Sequence, residues 1–297
     1  MSDALNRKMN RRQLLKIGLA AGGVFALRPT LGMSEDRKGA TRWAFLSDTH
    51  IAADRENNYR KLFPYRNLQK AVSEIDAAGP EGLVITGDLA RLTGQIGDYE
   101  NLRTLLAPTV ARRPAYLALG NHDDRTNFRK VFTEPAGNGQ PVRGKHVVTV
   151  EAGPARFILL DSLLYANKVQ GLLGKAQRTW LANYLRSSDD KPTILFFHHT
   201  LGDGDGDLLD VPRLFEIVKA VPKVKAIVYG HSHVYGFSEL EGIHLINLPA
   251  LGYNFSDNQP VGWVEAMFTK NGVEMLLHAT GGNTAMDGRV DKLRWRS

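Results

Sequence analysis

Residues 43–50, Trp43-Ala-Phe-Leu-Ser-Asp-Thr-His50, set four apolar residues and a serine directly ahead of an aspartate and a histidine. A short apolar run with aromatic or β-branched content, cut off by polar residues, is the mark of a buried strand. The arrangement recurs four times. Leu83-Val-Ile-Thr86 leads into Gly87-Asp88, and Tyr116-Leu-Ala-Leu119 into Gly120-Asn-His-Asp123. Thr193-Ile-Leu-Phe-Phe197 leads into His198-His199, and Ala226-Ile-Val-Tyr229 into Gly230-His-Ser-His233. In open α/β sheets, ligand sites gather at the carboxyl ends of strands. Five runs that each end in Asp, Asn or His therefore imply one shared site.

Working outward, further apolar runs lie at 147–150, 157–160, 243–248, 263–268 and 273–277. Amphipathic segments that read as helices lie at 67–77, 99–106, 127–132, 175–185 and 213–219. In the first of these, Leu68, Ala71, Val72 and Ile75 recur at helical spacing and form one stripe to lay on a sheet. Strands and helices alternate early, and strands pair like hairpins late. That order predicts an α/β protein whose mixed sheets are covered by helices on the outside.

Cysteine is absent, which excludes disulfides, thiolate metal sites and a cysteine nucleophile. Any metal must be held by nitrogen and oxygen. The net charge of +7 suggests a polyanion partner until it is localised. Residues 1–34 carry six cations and one anion, which leaves +2 for the remaining 263 residues. A body so near neutrality gives no footing for non-specific nucleic-acid binding. The basic segment has its own reading. A positive stretch precedes the short apolar run Ile17–Leu27, the layout of an export signal. Within it, Asn10-Arg-Arg-Gln-Leu-Leu-Lys16 resembles a twin-arginine signal, with Asn10 where Ser or Thr is usual. The expected partner is the twin-arginine export machinery, and the expected location is periplasmic or extracellular. With 11 residues the apolar run is too short to span a bilayer, which takes about 20.

Carboxylate, amide oxygen and imidazole suit divalent cations such as Mn, Fe, Zn or Co. Asp48 with His50, and His231 with His233, are spaced by two, so an extended backbone would point both members of each pair to one side. Glycine ahead of Asp88, Asn121 and His231 removes a side chain where the backbone must pass close to the site. Together the motifs Asp-x-His, Gly-Asp, Gly-Asn-His-Asp, His-His and Gly-His-x-His, in that order across 48–233, resemble the calcineurin-like metallophosphoesterases. Length and the paired histidines look most like the bacterial cyclic-nucleotide and glycerophospho-phosphodiesterases, which are related to purple acid phosphatases.

The resemblance implies a four-layer α-β-β-α sandwich of two mixed sheets, with residues 40–297 as one phosphoesterase domain behind the signal at 1–34. It implies a first metal on Asp48, His50, Asp88 and His233, and a second on Asp88, Asn121, His198 and His231, with Asp88 bridging. His122 would contact the phosphoryl oxygen or leaving group, and Asp123 would orient His122 through its second ring nitrogen. His199 follows His198 and lies outside the implied ligand set. Two departures stand out: Thr200 replaces the proline common after the fourth motif, and Arg91 stands where purple acid phosphatases place a metal-bound tyrosine. Arg91 is left with two readings, a partner for substrate phosphate or an exposed ion pair.

Hydrolysis of a small phosphoester by such a centre would use a hydroxide bridging the two cations, attacking phosphorus in line, with His122 aiding the departing alkoxide. The competing class is a family member that binds without catalysis, which loss of one or two ligands would favour. No ligand is missing. Gly202-Asp-Gly-Asp-Gly-Asp207 imitates a calcium loop but has Leu208 and Leu214 where glycine and glutamate are needed, so it reads as a rim loop. His146, His244 and His278 lie outside any ligand pattern, and Trp180 with Tyr184 reads as helix packing. The polar, aromatic stretches 52–65 and 253–260 are read as loops, with no role assigned.

Overall fold

The computed structural model describes residues 39–297; the predicted export signal lies outside them. Three parallel strands start the fold: Thr41–Leu46 (β1), Gly82–Ile85 (β2) and Ala115–Leu117 (β3). Between them run the helices Pro64–Ala78 (α1) and Ile96–Val110 (α2), and Arg125–Val131 (α3) follows β3. The helix ends follow local rules. Pro64 sits in the first turn of α1, where its missing N–H costs nothing, and Gly79 closes that helix in a left-handed conformation. Gln95 and Asp98 form a capping box on α2, and the Asp124 side chain caps α3 through the Asn127 amide.

The chain then builds Asn138–Gly139 (β4), Val148–Ala152 (β5), Ala155–Leu159 (β6), Thr193–Phe196 (β7) and Val224–Tyr229 (β8). Helices Gly174–Ser187 (α4) and Val211–Val218 (α5) connect the last three of these strands. Gly236–Leu240 (β9), Ile243–Asn247 (β10), Pro260–Thr269 (β11), Gly272–Gly282 (β12) and Val290–Arg294 (β13) complete the list. One sheet has the order β13-β12-β11-β1-β2-β3 and the other β4-β5-β6-β7-β8-β10-β9, each with parallel and antiparallel pairs.

The alternation of side chains along each strand makes the layers. Phe45, Phe157, Phe196 and Phe268 point between the two sheets, with ring centroids 5.0–5.9 Å apart and mostly edge to face. Their neighbours Ala44, Leu46, Leu83 and Ile85 face outward onto α1–α3 through Leu68, Ile75 and Leu102. On the other sheet, Ile158, Leu195 and Ile227 face α4 and α5 through Leu181, Leu185, Leu214 and Phe215. The result is helix, sheet, sheet, helix. Each fully buried Leu or Phe contributes about 1.5–3 kcal/mol, so these three clusters carry the fold.

All ten apolar runs are strands and all five amphipathic segments are helices. Three strands had no run to announce them. β4, β9 and β13 are edge strands of half-exposed or exposed residues, held by pairing on one side. The runs at 116–119 and 193–197 reach past their strands, where the chain turns into the loops that carry Asn121 and His198.

Candidate metal centre

The carboxyl ends of β1, β2 and β3 in one sheet and of β7 and β8 in the other open onto one place, and the loops that follow are stitched together through the backbone. The Asp48 and His50 amides donate to the carbonyls of Gly87 and Asp88 (3.0 and 2.9 Å), and the Gly230 amide donates to that of His198 (2.9 Å). The approach is close enough to exclude a Cβ. One built on Gly120 would lie 2.2 Å from Asp88 Oδ1, and one on Gly230 1.9 Å from Ser47 Oγ.

The paired candidate donors reach the centre by a route different from the expected one. Their backbone is not extended: Asp48 (φ 52°), His50 (48°), His231 (73°) and His233 (57°) are all left-handed, as is Asp88 (49°). In each pair the left-handed residues flank an ordinary one. Non-glycine residues pay about 1–3 kcal/mol for such a conformation, with Asp and His among the more tolerant, and surrounding structure must hold them there. The strain aims consecutive side chains at a single point that strand geometry would miss.

Asp48 Oδ1 lies 3.3 Å from His233 Nε2, 3.8 Å from His198 Nε2 and 3.9 Å from His50 Nε2. Asp88 Oδ2 lies 3.3 Å from His198 Nε2, 3.7 Å from His50 Nε2 and 3.9 Å from His122 Nε2. His231 Nδ1 is 3.3 Å from His198 Nε2. Three groups of donor atoms are each compact enough for one ion: Asp48, His50 and His233; Asp88, His198 and His231; and His50, Asp88 and His122. The other carboxylate oxygens are tied back. Asp48 Oδ2 accepts from Ser47 Oγ and the His231 amide, Thr86 Oγ1 donates to Ser47 Oγ (2.6 Å), and Asp88 Oδ1 accepts from the His122 amide (2.9 Å). Ser47 and Thr86 escaped the sequence reading because a buried serine or threonine carries no motif.

The donor set fits cations. Nδ1 of His50 lies 3.3 Å from the Arg91 carbonyl and Nδ1 of His233 lies 2.6 Å from the Tyr253 carbonyl, and a carbonyl can pair only with N–H. With both rings neutral, both Nε2 atoms present lone pairs, and they face each other at 3.2 Å. Asp48 Oδ1 and Asn121 Oδ1 are buried with no hydrogen-bond donor. Orphaned acceptors and opposed lone pairs in a buried site are costly unless a cation lies between them.

The electrostatics agree. Burial alone would raise both carboxyl groups, but His233 and His198 hold Asp48, and His198 and His50 hold Asp88, well below the usual range. Burial drives His50 down to about 3 against the pull of Asp88, and burial with His198 drives His231 down to about 4, so both rings are neutral donors. Burial also opposes charge on His198, but Asp88 and Asp48 outweigh it and raise this group to about 9. That proton occupies the face a cation would take.

The His122 ring is partly exposed, at 20%. Its Nδ1 donates to the Leu92 carbonyl (2.8 Å), which leaves Nε2 towards the centre. The expected partnership with Asp123 does not exist. Asp123 is fully buried, and its oxygens accept from the amides of Leu89 (3.1 Å), Ala90 (3.0 Å) and Gly120 (2.8 Å) and from the Tyr99 hydroxyl (3.1 Å). It laces the β2 loop to the β3 loop and does not touch His122. Two adjacent residues on a turn point apart, and a backbone carbonyl serves the imidazole as well as a carboxylate would. Burial and nearby Asp88 push Asp123 up to about 7, against the three amides.

The remaining candidates sort by location. His199 is buried with Nδ1 on Ser162 Oγ (2.7 Å), and burial holds it well below its ordinary value. Arg91 has no carboxylate in ion-pair range among the described residues; its guanidinium donates to Asn57 Oδ1 (2.9 Å) and the Tyr253 hydroxyl (3.3 Å). His146, His244 and His278 bond or stack elsewhere, His278 on Trp263 at 4.1 Å. In the 202–207 loop, Asp207 accepts from Thr200 Oγ1 and the Gly204 amide, and a Cβ on Gly206 would be 3.3 Å from His231 Nε2, so the loop is part of the rim.

Residues 41–235 match the calcineurin-like phosphoesterase family. A protein of Rhodococcus erythropolis named as a probable cyclic nucleotide phosphodiesterase is 30% identical over 227 residues, 73% of each chain. A glycerophosphodiester phosphodiesterase of Enterobacter lignolyticus is 27% identical over 231 residues, 73% of this chain and 81% of the other. In fold, the chain is similar to a dimetal phosphatase from Danio rerio, with a TM-score of 0.67 and 13% identity over 87% of this chain and all of that one.

Proposed function

The chain belongs to the calcineurin-like phosphoesterases and is a metal-dependent hydrolase of phosphoric esters, and from that premise we propose that six convergent donors, with the orphaned oxygen of Asn121, hold two cations. Asp48, His50, Asp88 and His233 take one, and Asp88, Asn121, His198 and His231 take the other, with Asp88 between them. The observation that carries this is the pair of Nε2 atoms of His50 and His233, 3.2 Å apart beside the orphaned Asp48 Oδ1, with both Nδ1 atoms committed to carbonyls. A pair of divalent ions in such a site supplies a nucleophile at neutral pH, by lowering the pKa of water from 15.7 to about 7, and neutralises the equatorial oxygens of phosphorus.

The chain's own groups do the rest. His122 carries its Nδ1 proton to Leu92 and keeps Nε2 on the open side of Asp88, where a proton on Nε2 reaches the departing ester oxygen. Such assistance is worth about 10²–10⁴-fold. Arg91, fixed by Asn57 and Tyr253 and free of any carboxylate in ion-pair range among the described residues, pairs with a phosphoryl oxygen. The substrate is a phosphodiester, a reading supported by the names of the two relatives above. The protein acts outside the cytoplasm after twin-arginine export, a reading supported by Arg11, Arg12 and the apolar run that follows them.

The test is hydrolysis of bis(p-nitrophenyl) phosphate and p-nitrophenyl phosphate by chelated protein reloaded with Mn, Fe, Zn or Co in turn. Turnover should return with metal, faster on the diester. No metal uptake, or turnover untouched by chelation, would refute the assignment.

A further inference from the structure

Beyond the imidazoles, aromatic rings continue outward in one direction. Tyr253 stacks on His50 (centroids 4.6 Å apart, 28° between planes) and Phe255 on His233 (4.2 Å, 21°). Tyr59 lies 4.7 Å from Tyr253 and 6.3 Å from Phe255. The inner ring is buried, but Phe255 is 53% exposed and Tyr59 40%. These rings stand on the two loop stretches that composition alone could not assign.

The loops are pinned to each other and to the core. Arg60 donates to the Phe255 carbonyl (2.6 Å) and pairs with Asp257, so it clips one loop to the other. Asn67 on α1 donates to the carbonyls of Leu251 (3.1 Å) and Gly252 (2.9 Å), and Gln259 accepts from the Tyr235 amide (2.9 Å). Ordinary solvated loops need no such anchoring for open apolar rings. Held rings bind without the entropy cost of first being ordered. The Arg91 guanidinium, 5.2 Å from the centre of the Tyr253 ring, stands on the same side. Two fixed open rings and a cation therefore border the metal ligands His50 and His233.

We propose that Tyr59 and Phe255 form an aromatic subsite that takes a planar ring carried by the ester arm of the substrate. The inference rests on the phosphoester reading above and narrows it to esters bearing an aryl or nucleobase ring. Ring stacking of this kind is indifferent to the identity of the ring, since every such ring has a π-face.

The test measures affinity by calorimetry on the Mn-loaded protein with two pairs of probes. Phenylphosphonate against methylphosphonate sets the ring one bond from phosphorus; adenosine 5′-phosphorothioate against ribose 5-phosphorothioate sets it a sugar away. The ringed member of at least one pair should bind ~10-fold tighter, the order expected for one stacked ring, and the preferred pair tells an aryl ester from a nucleoside ester. Phe255→Ala and Tyr59→Ala should each shrink that ratio several-fold, Tyr59→Phe should preserve it, and Val110→Ala, an exposed apolar residue on α2, should leave it alone. A ratio below about twofold in both pairs, or one that survives both alanine substitutions, overturns the subsite. Failure to hydrolyse any ester would instead strike the phosphoester reading and leave these binding ratios to stand or fall by themselves.

Discussion

Replacing Asp123 by asparagine separates two roles that a sequence motif cannot tell apart. The Asp123 carboxylate accepts four hydrogen bonds, two on each oxygen: Ala90 N–H and the Tyr99 hydroxyl on Oδ1, Leu89 N–H and Gly120 N–H on Oδ2. Asparagine keeps one acceptor oxygen and sets an NH₂ against the donors of the other. The better orientation turns NH₂ towards Tyr99, whose hydroxyl can swing to accept, and strands the Ala90 amide. One stranded buried amide costs about 1–3 kcal/mol, offset in part by removal of a charge that burial and Asp88 disfavour, so for a protein of this size the thermal midpoint falls by roughly 2–6 °C at most. Asp123→Ala strands all three amides and should cost more. The assay is thermal unfolding of chelated protein at pH 8, above the value of about 7 to which burial pushes this carboxyl, so that the parent residue is ionised. Turnover of metal-loaded protein is measured beside it. If Asp123→Asn unfolds with the parent while losing turnover, the group serves His122 and the loop-lacing role is wrong.

His122→Ala should retain both metals by elemental analysis and lose about 10²–10⁴-fold in kcat; parent-like turnover on several esters would remove its role. Because Asp88 and Asp48 raise His198 to about 9, the metal-free protein holds a proton on that ring below this pH, and a cation must displace it. Apparent affinity should therefore climb about tenfold per pH unit towards pH 9 and flatten above it, with proton release visible as a buffer-dependent heat of binding. His50 and His231, depressed to about 3 and 4, bind protons more weakly folded than unfolded, so the chelated protein should lose stability as pH falls from about 6.5 towards 4; a flat stability profile over that window would contradict their assignment. Replacing Arg11 and Arg12 together by lysine should abolish export, read as precursor retained in the cytoplasm.

Much of the molecule was legible in one dimension. Fully buried strands must be apolar on both faces, so β1, β2, β7 and β8 appeared as runs, and the helices showed their stripes because only one side of each touches a sheet. The polar residues that stop those runs supplied the proposed metal donors, since chemistry at a strand end has to interrupt the apolar pattern. Edge strands β9 and β13 stayed hidden because pairing on one side leaves their residues half-exposed or exposed, with no apolar run to see.

What tertiary structure alone decided is direction. Spacing by two suggested that Asp48 and His50 point together along a strand, whereas left-handed backbone at both, held by the β2 loop, does the aiming. Adjacency suggested that Asp123 serves His122, whereas folding turns one side chain inward to three amides and the other to the Leu92 carbonyl. Tyr59 and Phe255 were two aromatics in polar loops almost two hundred residues apart until the fold clipped those loops together beside His233. Residue type is a local property and survives in the sequence. Which atom faces which partner depends on backbone angles and on neighbours distant along the chain, and those exist only once it has folded.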